Sequence, residues 1–302
     1  MKHKLFILIF LFAGATASAQ HFSRPYPDTL NKRRLGWTIA GESAFYLGGM
    51  SFLGWVWYSD VQRVPFHWYN DNAGYLQMDK MGHVYGSYLE SYIGYHALRR
   101  AGVKRNTAIW LGGTLGFWLQ FPIEVFDGLY EGWGFSWGDV VANSCGSALV
   151  MGQEWLFDEQ ILRYKFSYWR SDLASQANGY LGRNFFESLF YDYNGHTYWL
   201  SAPINRTLGL ENVPEWLCFS VGYSADGMLG EFANRSFWGG QRLPEVERTR
   251  QFLFSLDIDT SRIPAKRKWV RVLLDGLAFV KVPFPALEIN SQGQFRGYGL
   301  YF

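Results

Sequence analysis

An apolar, helix-forming stretch of the chain is interrupted by the polar segment Asp79-Lys80-Met81-Gly82-His83. Two more segments of this kind follow, namely Glu124-Val125-Phe126-Asp127-Gly128 and Ser136-Trp137-Gly138-Asp139, the second of which leads to Asn143 and Gly146. Ionisable groups inside apolar helices cost several kcal/mol each unless they find one another. Three such segments on successive helices therefore predict one shared polar centre.

The sequence around these segments predicts about four hydrophobic helices. Residues 36–58 form an apolar run broken by Glu42, and this run reaches the ~20 residues needed to cross a bilayer, so that crossing and burial are both open. A second helix is expected over residues 78–100, where Asp79 and His83 stand four apart and hence on one face.

The third and fourth predicted helices carry the other two polar segments. The third covers residues 106–130, and Pro122 is expected to kink it just before Glu124. The fourth begins after Ser136, which has the residue type of an N-cap and is followed three residues later by Asp139. Asp139 could therefore serve the helix start as well as the polar centre.

The pattern changes after residue 162. Short segments of strand character, separated by Gly, Pro, Asn and Asp, lie at residues 197–202, 215–224, 250–259, 286–290 and 295–302. One amphipathic helix is expected over residues 264–280, with Lys266, Arg267 and Lys268 near its start, and it could lie on an anionic lipid layer or pack in a core. The predicted fold is thus mainly α, with a bundle of about four helices over residues 30–162 followed by a smaller β-containing region over residues 163–302.

Residues 1–19 have the form of a secretory signal peptide. Lys2 and Lys4 precede an apolar run, and Ala17-Ser18-Ala19 is a small-residue cleavage site, without a Cys that would indicate a lipid-modified N-terminus. Aromatic residues make up 19% of the chain and charged residues only 18%, against a typical ~25%. The sequence therefore predicts an exported, membrane-associated protein of the cell envelope, on the periplasmic side or at the outer membrane.

Partner classes can be narrowed from the charge. The net charge is +2, and no cluster of Lys and Arg is interleaved with aromatic residues, so nucleic acid is excluded as a partner. The aromatic content favours a membrane lipid or an envelope glycan instead, because Trp and Tyr suit surfaces that are partly apolar and partly wet. A protein partner is left open by the sequence.

The polar segments carry a resemblance to known families. The succession Asp-Lys-x-Gly-His, Glu-x-x-Asp-Gly and Gly-Phe-Ser-x-x-Asp-x-x-Ala-Asn-x-x-Gly resembles the YfiM-like family of predicted periplasmic lipoproteins, a domain of unknown function. More loosely, the chain resembles the VanZ-like membrane family, which has an Asp-Lys-x-x-His start and a Ser-x-x-Asp-x-x-x-Asn finish. The resemblance covers roughly residues 35–160 and matches Asp79, Lys80, His83, Glu124, Asp127, Ser136, Asp139, Asn143 and Gly146.

This chain departs from both families. It lacks a lipidation Cys, and it has Asp127 where VanZ-like proteins tend to carry Gln. No reaction is established for either family, so the resemblance implies a shared fold rather than a particular activity.

The residue types at the polar centre allow several kinds of chemistry. The catalytic candidates are His83, Glu124, Asp127 and Asp139, and the binding candidates are Asp79, Lys80 and Asn143. One His with several carboxylates suits a divalent cation or a general acid and base pair, although no local zinc signature is present. The same residues could also form a buried ion network that fixes helix packing.

Two functions follow from this set. The first is a membrane-associated envelope protein whose polar centre binds an envelope lipid or glycan or fixes helix packing. The alternative is a membrane-embedded hydrolase or transferase that acts on such a lipid or glycan, with or without a metal. Whether the protein is an enzyme is open at this point.

Overall fold

The computed structural model describes residues 26–59 and 61–302. The signal peptide expected at residues 1–19 lies outside the described residues. The chain divides into two compact units, which we call the N-terminal and the C-terminal unit. The N-terminal unit contains the described residues up to Asn72 together with His83–Gln160, and the C-terminal unit contains Ala73–Gly82 and Ile161–Phe302.

The first half of the described chain forms the helices α1 (Lys32–Trp57), α2 (Met78–Arg100), α3 (Arg105–Leu111), α4 (Leu115–Asp127) and α5 (Trp137–Phe157). Most residues of the three polar segments lie on α2, α4 and α5. The predicted second helix is confirmed at both ends. The third predicted helix is wrong as one element, because the chain breaks into α3 and α4 after Leu111, where a Cβ on Gly112 would stand 2.5 Å from the backbone nitrogen of Tyr95.

The C-terminal unit is built on a six-stranded antiparallel sheet. Its spatial order is β1-β2-β3-β6-β7-β8, and a separate hairpin is formed by β4 and β5. The strands are β1 (Arg163–Tyr168), β2 (His196–Pro203), β3 (Leu217–Asp226), β4 (Phe237–Trp238), β5 (Gln241–Arg242), β6 (Thr249–Ile258), β7 (Phe284–Asn290) and β8 (Phe295–Tyr301). Its helices are α6 (Asp172–Gln176), α7 (Phe185–Tyr191), α8 (Ile204–Leu208) and α9 (Lys268–Leu277).

The mainly α prediction is wrong. The protein is a mixed α and β protein in which the sheet dominates a unit of its own, and it is not a four-helix bundle with a small appendage. Each of the five predicted strand segments overlaps an observed strand, but the sequence does not predict β1 or the two-residue strands β4 and β5. Strand β1 turns Arg163 and Lys165 toward the buried side, so the apolar alternation that marks a strand in sequence is absent.

The buried side of the sheet carries many polar residues beside a small apolar cluster of Trp199, Leu253 and Ala286. Ser201, Ser220 and Ser255 are buried at neighbouring positions of β2, β3 and β6. At the end of the same face, Lys165 Nζ lies 2.7 Å from Asp257 Oδ2, and both side chains are 0% exposed. Antiparallel sheets usually bury a mainly apolar face, so the buried polar residues of this sheet are unusual.

No helix in the described part of the chain is long and apolar enough to cross a membrane. This holds for α1, for which the sequence left crossing and burial open. Burial is not found either, since Trp37, Ile39 and Leu47 of α1 are 71%, 52% and 64% exposed.

Candidate functional site

Three helices of the N-terminal unit bring polar side chains around His83. The imidazole, on α2, has Nδ1 3.5 Å from Glu124 Oε1 of α4 and 3.2 Å from Asn143 Oδ1 of α5. Its other nitrogen, Nε2, is 3.5 Å from Asp139 Oδ1, also on α5. The two ring nitrogens therefore face different carboxylates. We call His83, Glu124, Asp139 and Asn143 the His83 cluster.

Burial is uneven across the cluster. The side chains of Glu124 and Asp139 are 1% and 6% exposed, whereas the imidazole of His83 is 18% exposed. Asn143 is fully buried, and its Nδ2 has no hydrogen-bond partner among the described residues. Buried amide groups are nearly always hydrogen-bonded, so this nitrogen marks a place where an additional acceptor would be accommodated.

Glycines let the three helices approach closely enough to form the cluster. A Cβ on Gly116 of α4 would stand 2.0 Å from the backbone oxygen of Ser87 on α2. A Cβ on Gly146 of α5 would stand 2.4 Å from the backbone oxygen of Val84, on the same stretch of α2. Both contacts are far inside van der Waals distance, so only glycine permits this spacing.

Serine hydroxyls link the helices just behind the cluster. Ser87 Oγ donates to the backbone oxygen of Asn143 at 2.5 Å, and Ser147 Oγ lies 3.0 Å from Ser87 Oγ and 2.9 Å from Ser91 Oγ. The backbone N–H of Gly116 donates to Ser91 Oγ at 3.0 Å. The sequence reasoning missed these serines. A sequence pattern that could have indicated them is the spacing of four residues between Ser87 and Ser91 and between Asn143 and Ser147, which places each pair on one helix face.

The start of α5 fixes the backbone around Asp139. Ser136 is the N-cap, as predicted, and its Oγ accepts from the backbone N–H of Asp139 at 3.2 Å. The same hydroxyl donates to Asp71 Oδ1 at 2.6 Å. The cap uses the main chain of Asp139, which leaves its carboxylate to the cluster.

The remaining predicted site residues lie elsewhere. Asp127 ends α4 and accepts a hydrogen bond from the Tyr58 hydroxyl. The pKa of Tyr58 is raised well above its ordinary value, mainly by burial of the hydroxyl and to a smaller extent by the negative charge of Asp127. Asp79 and Lys80 belong to the C-terminal unit. There Lys80 Nζ donates to Asp79 Oδ2 at 3.2 Å, and the Tyr193 hydroxyl donates to Asp79 Oδ1 at 3.0 Å.

A further acidic residue lies two turns along α2. Burial raises the pKa of Glu90 to about 8, which is only partly offset by a hydrogen bond from Gln120 and by the positive charge that His83 can carry. Gln120 Nε2 donates to Glu90 Oε2 at 3.0 Å and would stand 2.8 Å from a Cβ on Gly86, so this amide lies over the α2 glycine between His83 and Glu90. The sequence did not single out Glu90, since a lone Glu in a helix is a common surface residue.

Comparison with known families gives one match. Residues 67–152 match the model of a family described as "Predicted periplasmic lipoprotein (DUF2279)". This range contains every member of the His83 cluster and supports an exported protein of the cell envelope. The looser resemblance to VanZ-like proteins is not supported. Neither the curated proteins nor the solved structures gave a match.

The geometry can support two kinds of chemistry. Histidines that bind metals usually donate their second ring N–H to a carboxylate or a carbonyl oxygen, which fixes the ring. At His83, Nδ1 faces such oxygens on Glu124 and Asn143, while Nε2 faces Asp139. The same arrangement would let the ring carry a proton between two carboxylates, as a general acid and base does.

Proposed function

We propose that the protein is an exported envelope protein in which the His83 cluster binds a divalent cation, and that the cation holds an anionic group of an envelope lipid or glycan. The observation that carries this proposal is that the two ring nitrogens of His83 face different groups. One ring nitrogen faces the orienting oxygens of Glu124 and Asn143, and the other faces Asp139.

The spacing on the Nε2 side supports a cation. Two ligands bound at ~2.1 Å to one metal ion lie ~3.0 to 3.4 Å apart, depending on whether the coordination is octahedral or tetrahedral. His83 Nε2 and Asp139 Oδ1 are 3.5 Å apart, which is long for a direct hydrogen bond and close to this separation.

The exposure pattern supports binding of a larger ligand at the cation. The carboxylates are enclosed, whereas the imidazole keeps 18% of its surface accessible. A cation held by His83 and Asp139 retains open positions, and phosphate or carboxylate oxygens of an envelope lipid or glycan are suitable ligands for them.

Cation binding is tested by titrating the purified protein with Mn²⁺, Zn²⁺ and Ca²⁺ in separate calorimetric and thermal-melt experiments. A ligand that binds only the folded state stabilises it by about 2.7 kcal/mol at 100 times its Kd, so the melting temperature should rise with metal. Asp139→Asn should abolish this rise, because its amide is a weak ligand. Glu131→Gln, an exposed carboxylate of the same unit, is the matched control and should keep it.

A purely structural network gives the opposite result. Asp139→Asn and His83→Gln would then lower the melting temperature equally with and without metal, and no stoichiometric ion would be bound. That outcome would refute the proposal without requiring a known substrate.

A second candidate function is hydrolysis or group transfer on the same envelope lipid or glycan. It is favoured by the second carboxylate, since Glu124 lies on the nitrogen opposite Asp139 and could take a proton relayed through His83. Incubating protein and metal with an envelope lipid extract, followed by mass spectrometry, tests it. A new product that disappears with Glu124→Gln, while the metal-induced rise in melting temperature persists, would establish the activity; an unchanged extract with metal bound leaves the binding function.

A further inference from the structure

The outer face of the sheet in the C-terminal unit is apolar over three adjacent strands. Each outward position of β3 lies opposite one of β6, pairing Phe219 with Leu256 and Val221 with Phe254, and Phe254 in turn lies opposite Leu287 of β7. These five side chains are 39% to 66% exposed in the described structure. We call this surface the outer apolar face.

The alternate positions of the same strands point inward and are largely polar, apart from the buried Leu253 and Ala286. Ser220 lies opposite Ser255, and Asp257 lies next to them and is fully buried. The polar residues are satisfied inside, with Ser201 Oγ donating to Asp257 Oδ2 at 2.6 Å. A sheet with one face in water usually exposes polar side chains and buries apolar ones. The exposed apolar side chains found here are the reverse, and contiguous apolar patches of this kind mark contact with another apolar phase.

Helix α9 shows the same inversion. Trp269, Leu273 and Leu277 recur every four residues and are 63%, 52% and 43% exposed. On its other side Arg271 and Asp275 are buried, and Arg271 Nη1 donates to the backbone oxygen of Ser261 at 2.6 Å. Helix α9 is amphipathic, as expected, but its apolar stripe is exposed while two of its charged residues are buried.

A basic group stands at the start of α9. Lys266, Arg267 and Lys268 are exposed. The helix is anchored at the end of β6, because Thr260, which follows that strand by two residues, donates through Oγ1 to the backbone oxygen of Leu274 at 2.6 Å. Cationic side chains beside an apolar surface complement anionic lipid headgroups, whereas they oppose the dipole at a helix N-terminus and gain nothing there from the protein itself.

We propose that the outer apolar face and the exposed stripe of α9 contact the acyl chains of a lipid layer, with Lys266, Arg267 and Lys268 at the level of anionic headgroups. This lipid contact is separate from the cation site at His83 and does not depend on it. It places the C-terminal unit in the lipid through its surface chemistry, without any membrane-crossing helix among the described residues.

Site-directed spin labelling of the full chain tests the contact directly. A nitroxide is attached at Val221→Cys or Leu287→Cys in a Cys145→Ser background, since Cys145 is exposed and Cys218 is buried. On addition of vesicles of equal parts phosphatidylcholine and phosphatidylglycerol, we expect the ratio of oxygen to nickel-complex collision rates to rise several-fold. The control label at Glu245→Cys, where the native side chain is 83% exposed in a loop, should show no change.

Vesicle flotation gives a second, functional measurement. Phe254→Ser combined with Leu256→Ser should reduce the bound fraction several-fold, whereas Phe237→Ser, which removes an exposed aromatic side chain from the β4–β5 hairpin, should not. Neutralising Lys266, Arg267 and Lys268 to Gln should weaken binding to the anionic vesicles and remove most of its salt dependence. Thermal melts of each variant serve as the control that it is folded.

Two results would overturn the proposal. Labels on the outer apolar face that stay accessible to the nickel complex in the presence of vesicles would show that no lipid covers it. Spin–spin broadening between labels of two copies in lipid-free solution, unchanged by vesicles, would show instead that a second copy of this chain covers the face.

Discussion

The two units bury charge in different ways. In the C-terminal unit, Lys165 and Asp257 are 2.7 Å apart and completely enclosed, and Lys281 Nζ lies 3.7 Å from the same carboxylate. In the N-terminal unit, carboxylate oxygens of Glu124 and Asp139 stand 3.5 Å from the ring nitrogens of His83, which is itself partly exposed.

The contrast separates a cluster whose charged groups hydrogen-bond one another directly from one for which we propose a bound cation. Asp257 also accepts from Ser201 Oγ and from the backbone N–H of Val282, so its acceptor positions are filled. Burial lowers the pKa of Lys281 to about 8, partly offset by Asp257, and its ammonium donates to the backbone oxygens of Leu256 and Val282. Such saturation is typical of a structural ion cluster, whereas looser distances and partial exposure suit binding.

The largest expected effect is at Asp257. Asp257→Ala should lower the free energy of unfolding by about 3 to 5 kcal/mol, because it leaves two buried ammonium groups without their counter-ion. Glu124→Gln in the His83 cluster should change the free energy by less than about 1 kcal/mol without metal, as binding residues are often kept at no gain in stability. Chemical denaturation of each variant would measure both changes in the free energy of unfolding.

The exposed pair of Arg242 and Glu245 serves as control for the first change, since Glu245→Ala should cost ~0 to 1 kcal/mol. If Glu124→Gln destabilised the protein as much as Asp257→Ala, the distinction between the two clusters would fail and the His83 cluster would be structural.

An intermediate effect is expected from the glycine that brings α5 against α2. Gly146→Ala should destabilise the N-terminal unit by about 1 to 3 kcal/mol and weaken cation binding, because the added methyl meets the backbone of Val84 and separates Asp139 from His83. Gly152→Ala in the same helix is the matched control, as nothing lies within 4 Å of its Cβ position. Thermal melts should show this control to be stabilised by roughly 0.5 to 1 kcal/mol.

The smallest effect is expected at the N-cap. Ser136→Ala should cost about 1 kcal/mol through the lost bond to the backbone N–H of Asp139. Ser136→Asp restores a capping acceptor and should recover part of that stability, although its carboxylate then faces Asp71. An Ala variant as stable as the native chain would show that tertiary contacts alone hold the start of α5.

Local signals in the sequence were reliable where one turn of chain decides the structure. The bounds of α2 and the cap at Ser136 follow from apolar periodicity and from a hydrogen bond between residues three apart. The sequence also singled out His83, Glu124, Asp139 and Asn143, because ionisable and amide groups are costly in apolar helices. Their chemical role is still a proposal, and the serines behind them escaped notice because Ser is common in any context.

The sequence by itself determined the bounds of α2, the positions of five of the strands, how α5 begins, and that polar groups would have to meet among the N-terminal helices. Only the tertiary structure decided that one predicted helix breaks into α3 and α4, that serines, Lys165 and Asp257 lie on the buried face of the sheet, and that the two nitrogens of His83 face different carboxylates. The physical reason is the range of the interactions. Caps and periodicity act within a turn, whereas the choice of buried face depends on the register of strands far apart in the chain, such as β3 with β6.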